Sequence, residues 1–287
     1  MTDYSDVSAN NVNSLGRAFY LRGDEGNVGV WYETIQFIAF RHMLPRSLSY
    51  KYREKGIHPQ DEDIEESLSD EKHPIVVYLH GNSFDRTIGH RVELYNVLNK
   101  LEYHVVAFDY RGYGDSDGDP SEKGLVNDSL LVYEYVKQHC GNNTVIIWGH
   151  SMGTGVAVHL VKNLCVEGNP PEGLVLESPF NNLGDAIMGH VLGIPLRWMS
   201  DDLLPNSKVS AVSRFFFSHL DVIFSITCPI LMLHAENDHV IPVTLARKLR
   251  DAAVASQRDI KYVEFETAKN YKHKFIYMAP ELSTLIP

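Results

Sequence analysis

Cysteine is scarce and odd in number: Cys140, Cys165 and Cys228 lie far apart in a chain of 287 residues. Neither a disulfide framework nor a cysteine-based zinc site is expected, and the three read as thiols in or near a core. Long apolar runs are missing as well. No window approaches about 18 uninterrupted apolar residues, and the opening "MTDYSDVSANN" lacks the basic-then-apolar form of a leader. As written, the chain reads as soluble. Basic charge is in deficit, with 26 Lys and Arg against 37 Asp and Glu for a net −11, which argues against nucleic acid as a partner, since such a binder needs a basic face to neutralise phosphates. Neither G-x-x-x-x-G-K-[ST] nor H-E-x-x-H occurs, so nucleotide hydrolysis and zinc peptidase chemistry have no footing. The glycine-rich "FDYRGYGDSDGDP" misses dinucleotide spacing and meets Pro120 where a helix should open. No metal or organic cofactor is expected.

What is present is enough apolar material for one sizeable core, 44% hydrophobic and 10% aromatic, and residues 1–287 are read as a single domain. "RAFYL" around Phe19 and "NVGVWYETI" from Asn27 flank "RGDEG", the turn of a hairpin. The stretch 46–72, holding "DEDIEES", reads as a flexible acidic loop with few apolar anchors. Beyond it, apolar strands at Ile75–Leu79, His104–Phe108, Val145–Trp148, Leu174–Glu177, Ile230–Leu233 and Lys261–Phe265 alternate with helix-length stretches such as Arg91–Leu101, Leu125–His139 and Leu245–Val254. Alternation of this kind predicts an α/β fold, a mostly parallel sheet covered by helices on both faces, with ligands at the carboxyl ends of the strands. The piece 181–228 interrupts it. Carrying "IMGHVLGIPLRWM" and "RFFFSHLDVIF", it reads as a helical lid over the site, with Phe215 and Phe216 against an acyl chain, or else as extra core helices.

"TVIIWGHSMGTGVAVHL" runs a buried strand through Gly149-His150-Ser151-Met152-Gly153 into a small-residue helix. Glycines two residues either side of a serine remove the Cβ atoms that would clash when a strand turns directly into a helix, so the string predicts a nucleophile elbow. A serine hydroxyl needs a base, and the base needs an orienting carboxylate. Downstream, "ILMLHAENDHVIP" puts Asp238 at the end of a strand, and "AKNYKHKF" puts His273 on a later loop at the same edge, the chain order this fold uses. Glu177, ending the strand after the nucleophile's, stays open as the acid, while Glu236 should point away by strand alternation. His234 lies inside its strand, His239 adjoins the acid, and His190 and His219 fall in the expected lid, which leaves His273 as base. "IVVYLHGNSFD" offers Asn82, whose amide pairs with that of Met152 as an oxyanion hole. Lys269, Lys272 and Lys274 crowd His273, and Lys272 and Lys274 are candidate contacts for an anionic headgroup.

Taken together, "HPIVVYLHGN", "HRVELYNVLNKLEYHVVAFDYRGYGDSDGDPSEKG", "WGHSMGTGVAVHLVKNLC", "LVLESPFNN", "CPILMLHAENDHVIP" and "YKHKFIYMAPEL" resemble the α/β-hydrolase domain-containing protein 12 family, from about residue 15 onward. The resemblance implies an α/β-hydrolase fold and a serine hydrolase of lysophosphatidylserine and monoacylglycerol esters, with Ser151, Asp238 and His273 matching the family's triad. It also implies a single-chain lipid substrate drawn from a membrane surface, at the endoplasmic reticulum. Family members reach that membrane through an N-terminal span, and this sequence contains no such run, which leaves a soluble or cytoplasmic form open. A depalmitoylase-like protein thioesterase and a catalytically silent lipid-binding domain are the alternatives. Headgroup, chain length and oligomeric state have no signature in the sequence.

Overall fold

The computed structural model describes residues 11–23, 36–181, 218–220 and 222–286. In chain order the elements are β1 (Gly16–Gly23), β2 (Gln36–Met43), α1 (Arg46–Glu54), α2 (Asp61–Glu66), β3 (Ile75–Leu79), α3 (Gly89–Lys100), β4 (His104–Phe108), α4 (Glu122–His139), β5 (Val145–His150), α5 (Met152–Val166), β6 (Gly173–Glu177), β7 (Ile230–Ala235), α6 (Val243–Ala255), β8 (Ile260–Phe265) and α7 (Leu282–Leu285). The strands form an eight-stranded sheet in the order β1-β2-β4-β3-β5-β6-β7-β8. β3 and β4 run parallel, as do β6 with β7 and β7 with β8. β1 and β2 are antiparallel to each other, and β2 is antiparallel to β4. This is the mostly parallel sheet that the alternating strands and helices predict, in the α/β-hydrolase fold that the family resemblance implies. No described helix is long and apolar enough to cross a membrane.

By compactness the chain divides into two units, Met1–Pro120 with Asn127–Ile146 and Ser121–Val126 with Ile147–Pro287, where the sequence reading takes one domain. In the first unit β3 and β4 are buried at every position, as β-branched strands with both faces covered must be. The expected hairpin is present, but its second described strand is Gln36–Met43, registered so that Gly23 faces Gln36; the expected strand from Asn27 lies outside the described residues.

The stretch 46–72 departs from the flexible loop that its composition suggests. It holds α1, α2 and a 3-10 turn at Ser67–Ser69. The acids that argue for disorder sit in the first turn of α2, where the helix dipole favours negative charge, and Asp63 accepts the Gln60 amide at 2.9 Å. Two apolar anchors, Ile64 and Leu68, are buried. A distant side chain completes the fixation: Asn143 donates to the carbonyls of Leu68, Asp70 and His73 at 2.8, 3.2 and 2.9 Å.

Past β4, the glycine-rich segment wraps a buried carboxylate. Asp109 accepts the Arg86 amide at 2.7 Å and its guanidinium at 2.5 Å, and His80 Nε2 lies 3.3 Å away. A Cβ on Gly114, whose φ is +54°, would sit 2.1 Å from Asp109 Oδ2, so the glycine there makes room for the ion pair rather than for a phosphate. Removing one partner of a buried pair leaves the other charge uncompensated. Asp109→Ala is therefore expected to cost about 3–5 kcal/mol of stability, measured as a shift in the urea unfolding midpoint; a change within the scatter of surface substitutions would refute this reading of the network.

Candidate active site

In the second unit the turn from β5 to α5 holds Ser151 at φ 54°, ψ −122°, a conformation that a non-glycine residue adopts only when its surroundings impose it. Those surroundings are visible. The Ser151 amide donates to Glu177 O at 2.9 Å, and the Ser151 carbonyl accepts both the Thr154 amide at 2.9 Å and the Thr154 hydroxyl at 2.6 Å. Because the Thr154 proton is spent on Ser151, the 2.9 Å contact from His219 Nε2 must be a donation from the imidazole, which fixes its tautomer. Burial pushes the His219 pKa down to about 3, so the ring stays neutral, packed 4.4 Å from Phe180 centroid to centroid. A Cβ on Gly149 would meet Gly153 O at 2.5 Å and Thr154 Cα at 2.8 Å. The turn closes only with glycine there.

Three sequence-predicted residues come together at this turn. His273 Nε2 lies 2.9 Å from Ser151 Oγ, and His273 Nδ1 lies 2.7 Å from Asp238 Oδ2. Asp238 Oδ1 accepts the amides of Val240 and Ile241 at 2.8 and 2.9 Å. A carboxylate so occupied can only accept from Nδ1, which leaves the Nε2 lone pair facing the serine hydroxyl. Burial would raise the Asp238 pKa, but the His273 hydrogen bond and charge, helped by His234 and the Ile241 amide, bring it below the ordinary value. His150, the residue between Gly149 and Ser151, donates from Nε2 to the His273 carbonyl at 2.9 Å, and its ring lies 5.0 Å from that of His273, tilted by 42°. The elbow thereby holds the histidine loop as well as the serine.

The rival acids are engaged elsewhere. Glu177 is buried and accepts the Trp148 indole N–H at 2.9 Å. Glu236 accepts the amide and hydroxyl of Thr267 at the surface. His234, the in-strand histidine, meets Ile241 O at 3.0 Å and Asp238 Oδ2 at 3.5 Å. Around His273, Lys272 is half-buried with its amide on Asn237 Oδ1 at 3.0 Å, Lys274 is exposed, and Lys269 pairs with Glu281 at 3.7 Å. Phe215, Phe216, His190 and most of the expected lid lie outside the described residues. Among the described residues no group of three or more His, Cys, Asp or Glu could hold a metal ion.

In the first unit Asn82 is exposed and accepts the Tyr113 hydroxyl at 2.9 Å. Two left-handed residues follow it, Ser83 at φ 73° and Phe84 at φ 61°. This strained loop is gripped by the Arg91 guanidinium, which donates to the carbonyls of Gly81, Ser83 and Asp85 at 2.8, 2.9 and 2.5 Å. The sequence reading passes over Arg91, as it does Thr154, His150 and the contact of His219. One signal was there for Arg91: it shares the buried stripe of α3 with Tyr95 and Leu98 at i+4 and i+7, and an arginine on an apolar stripe needs a partner.

The sheet, the elbow and the Ser-His-Asp alignment define a serine hydrolase of the α/β-hydrolase fold. The family described as serine aminopeptidase, S33 matches residues 70–223, and the chain belongs to the lysophosphatidylserine lipase ABHD12 family. It is 41% identical over 274 residues to the Danio rerio protein of that name, covering 93% of this chain and 68% of the relative. To the Gallus gallus counterpart it is 40% identical over 279 residues, with the same two coverages of 93% and 68%. The Pyrococcus furiosus esterase Pf2001 superposes with a TM-score of 0.68 at 17% identity, over 97% of this chain and 91% of that one, a likeness of fold.

Glu177 gives the site a pH signature. Burial, reinforced by the nearby charge of Asp238 and opposed by the Trp148 hydrogen bond, raises its pKa from the ordinary 4.5 to about 7. A carboxyl that holds its proton more tightly when folded favours folding at low pH, so stability falls as pH rises from 4.5 through about 7. Glu177→Gln keeps an oxygen for the Trp148 indole and removes that slope. The variant is expected to exceed the parent by roughly 3 kcal/mol at slightly alkaline pH and to match it at pH near 4; urea titrations across that range showing parallel curves for the two proteins would refute it.

Proposed function

We propose that this chain hydrolyses the acyl ester of single-chain lipids, lysophospholipids of the lysophosphatidylserine type and monoacylglycerols, through an acyl intermediate on Ser151. The observation that carries the reading is His273 spanning Ser151 Oγ at 2.9 Å and Asp238 at 2.7 Å. Ser151 Oγ attacks the ester carbonyl carbon while His273 Nε2 takes its proton; Asp238 stabilises the imidazolium and keeps its orientation. The carbon–oxygen bond to the glycerol then breaks, and the proton passes from Nε2 to the departing alkoxide. Water repeats the sequence on the acyl-serine, releasing the fatty acid and restoring Ser151. Negative charge on the tetrahedral intermediate is assigned to the main-chain amides of Met152, which opens α5, and of Asn82, by motif order. The names of the relatives support the lysophosphatidylserine headgroup, and the membrane surface, at the endoplasmic reticulum, is the proposed source of substrate. Phe215 and Phe216 in the expected lid are assigned to the acyl chain, Lys272 and Lys274 to the headgroup. A serine already aligned with its base has no role in a silent binding domain.

Ser151→Ala is expected to abolish fluorophosphonate labelling and ester hydrolysis with circular dichroism unchanged; retained labelling would end the mechanism. Asp238→Asn should lower turnover about 10⁴-fold by leaving the imidazole in the wrong tautomer, and Glu177→Gln far less, with the reverse ranking moving the acid to Glu177. On a substrate panel, lysophosphatidylserine should outrun a neutral monoacylglycerol at low ionic strength, with added salt and the pair Lys272→Ala and Lys274→Ala each narrowing the gap. A faster rate on acyl-cysteine peptides than on any lipid ester would favour the thioesterase reading.

A further inference from the structure

A second charged feature lies wholly within the first unit. A groove of about 400 Å³ opens between α1, α3 and the segment before β1, lined by Arg46, Arg53 and Lys100 together with neutral polar groups and Tyr50. No carboxylate lines it, in a chain of net charge −11. Its walls are tied in place. Arg53 donates to Asn13 O at 2.8 Å, Ser49 Oγ accepts the Leu15 amide at 3.0 Å, and Asn96 accepts the Asn13 amide at 2.8 Å while donating to Asn11 O at 3.1 Å. Arg46 and Lys100, by contrast, have no ion-pair partner among the described residues. The amides at the start of α1 contribute little, since Glu102 accepts both the amide and the hydroxyl of Ser47 at 3.1 and 2.5 Å. Recognition must come from the side chains.

We propose that this groove binds the phosphate of an anionic phospholipid headgroup and docks the protein on a membrane surface. Guanidinium and ammonium groups converging on one groove suit a phosphate diester, Arg by its planar fork and Lys as a point charge. The aromatic Tyr50 stands 60% exposed at the rim, a side chain suited to the headgroup level of a bilayer. A basic patch on a helix is the form in which an otherwise acidic protein can meet an anionic leaflet. The groove shares no residue with the Ser151 site, so the proposal stands apart from the catalytic reading.

The test uses the whole 287-residue chain carrying Ser151→Ala, so that lipids survive the assay, and measures co-flotation with phosphatidylcholine vesicles with and without phosphatidylserine. Retention is expected only with phosphatidylserine, declining as salt is added. Arg46→Ala with Lys100→Ala should weaken it about thirty-fold, while Lys248→Ala with Lys261→Ala, an equal charge loss at two exposed positions of the second unit, should leave it nearly unchanged. In the Ser151 background, the groove variants should turn over a water-soluble short-chain ester at the parent rate, which shows that they fold. Equal weakening by both pairs would reduce the effect to net charge and overturn the proposal, as would absence of retention. Soluble glycerophosphoserine separates the sources: if it binds while vesicles do not retain the protein, the groove takes a free phosphate compound and the membrane assignment falls.

Discussion

The backbone of Ser151, held at positive φ, is the constraint around which the second unit is built. A strained conformation of this kind costs of order 1–3 kcal/mol, and it persists because neighbouring groups permit few alternatives. Glu177 O and Thr154 anchor the two sides of the serine peptide, His219 orients the Thr154 hydroxyl, and Gly149 permits the approach of α5. His150 extends the same turn to the histidine loop through the His273 carbonyl. The turn therefore sets the nucleophile and its base by one set of contacts.

Electrostatics divide the two buried carboxyls of this unit. Glu177 ends β6 and Asp238 lies on the turn just past β7, and both lose water, yet their pKa values move in opposite directions. Asp238 gains two backbone amides and an imidazole, enough to outweigh desolvation. Glu177 gains one indole N–H, which does not. Hydrogen-bond count decides which carboxyl stays charged, and a charged one is what an imidazolium needs.

In the first unit polar side chains do the work of covering backbone. Arg91 supplies donors to three carbonyls of a loop with two left-handed residues, and Asn143 supplies them to three carbonyls around the 67–73 turn. Each replaces hydrogen bonds that water would otherwise make, and each lets an irregular segment pack against the sheet. The same economy leaves Arg46 and Lys100 as cations facing solvent in the groove beside α1.

How far the sequence carried follows from the range of each interaction. Strand and helix alternation and the glycine spacing about Ser151 are written in neighbouring residues, because periodicity and turn geometry are local properties, and the order serine, aspartate, histidine can be read along the chain once the strands are placed. The fold class and the elbow were legible for that reason. Composition failed at 46–72, where acidic residues look like a solvated loop until Asn143, more than seventy residues from its middle, is brought against it. Chain order favoured Asp238 and kept Glu177 as the alternative acid; only the path of the loop after β8 brings His273 to Asp238. His219 reaches Thr154 across 65 residues, and Arg91 reaches its loop only through the facing of α3. The sequence by itself determined which segments of the alternating region become strands and helices and which serine stands at the turn; the tertiary structure decided the long-range partners of the buried polar groups, because a hydrogen bond is satisfied by whatever the fold brings within about 3 Å, however distant in the chain.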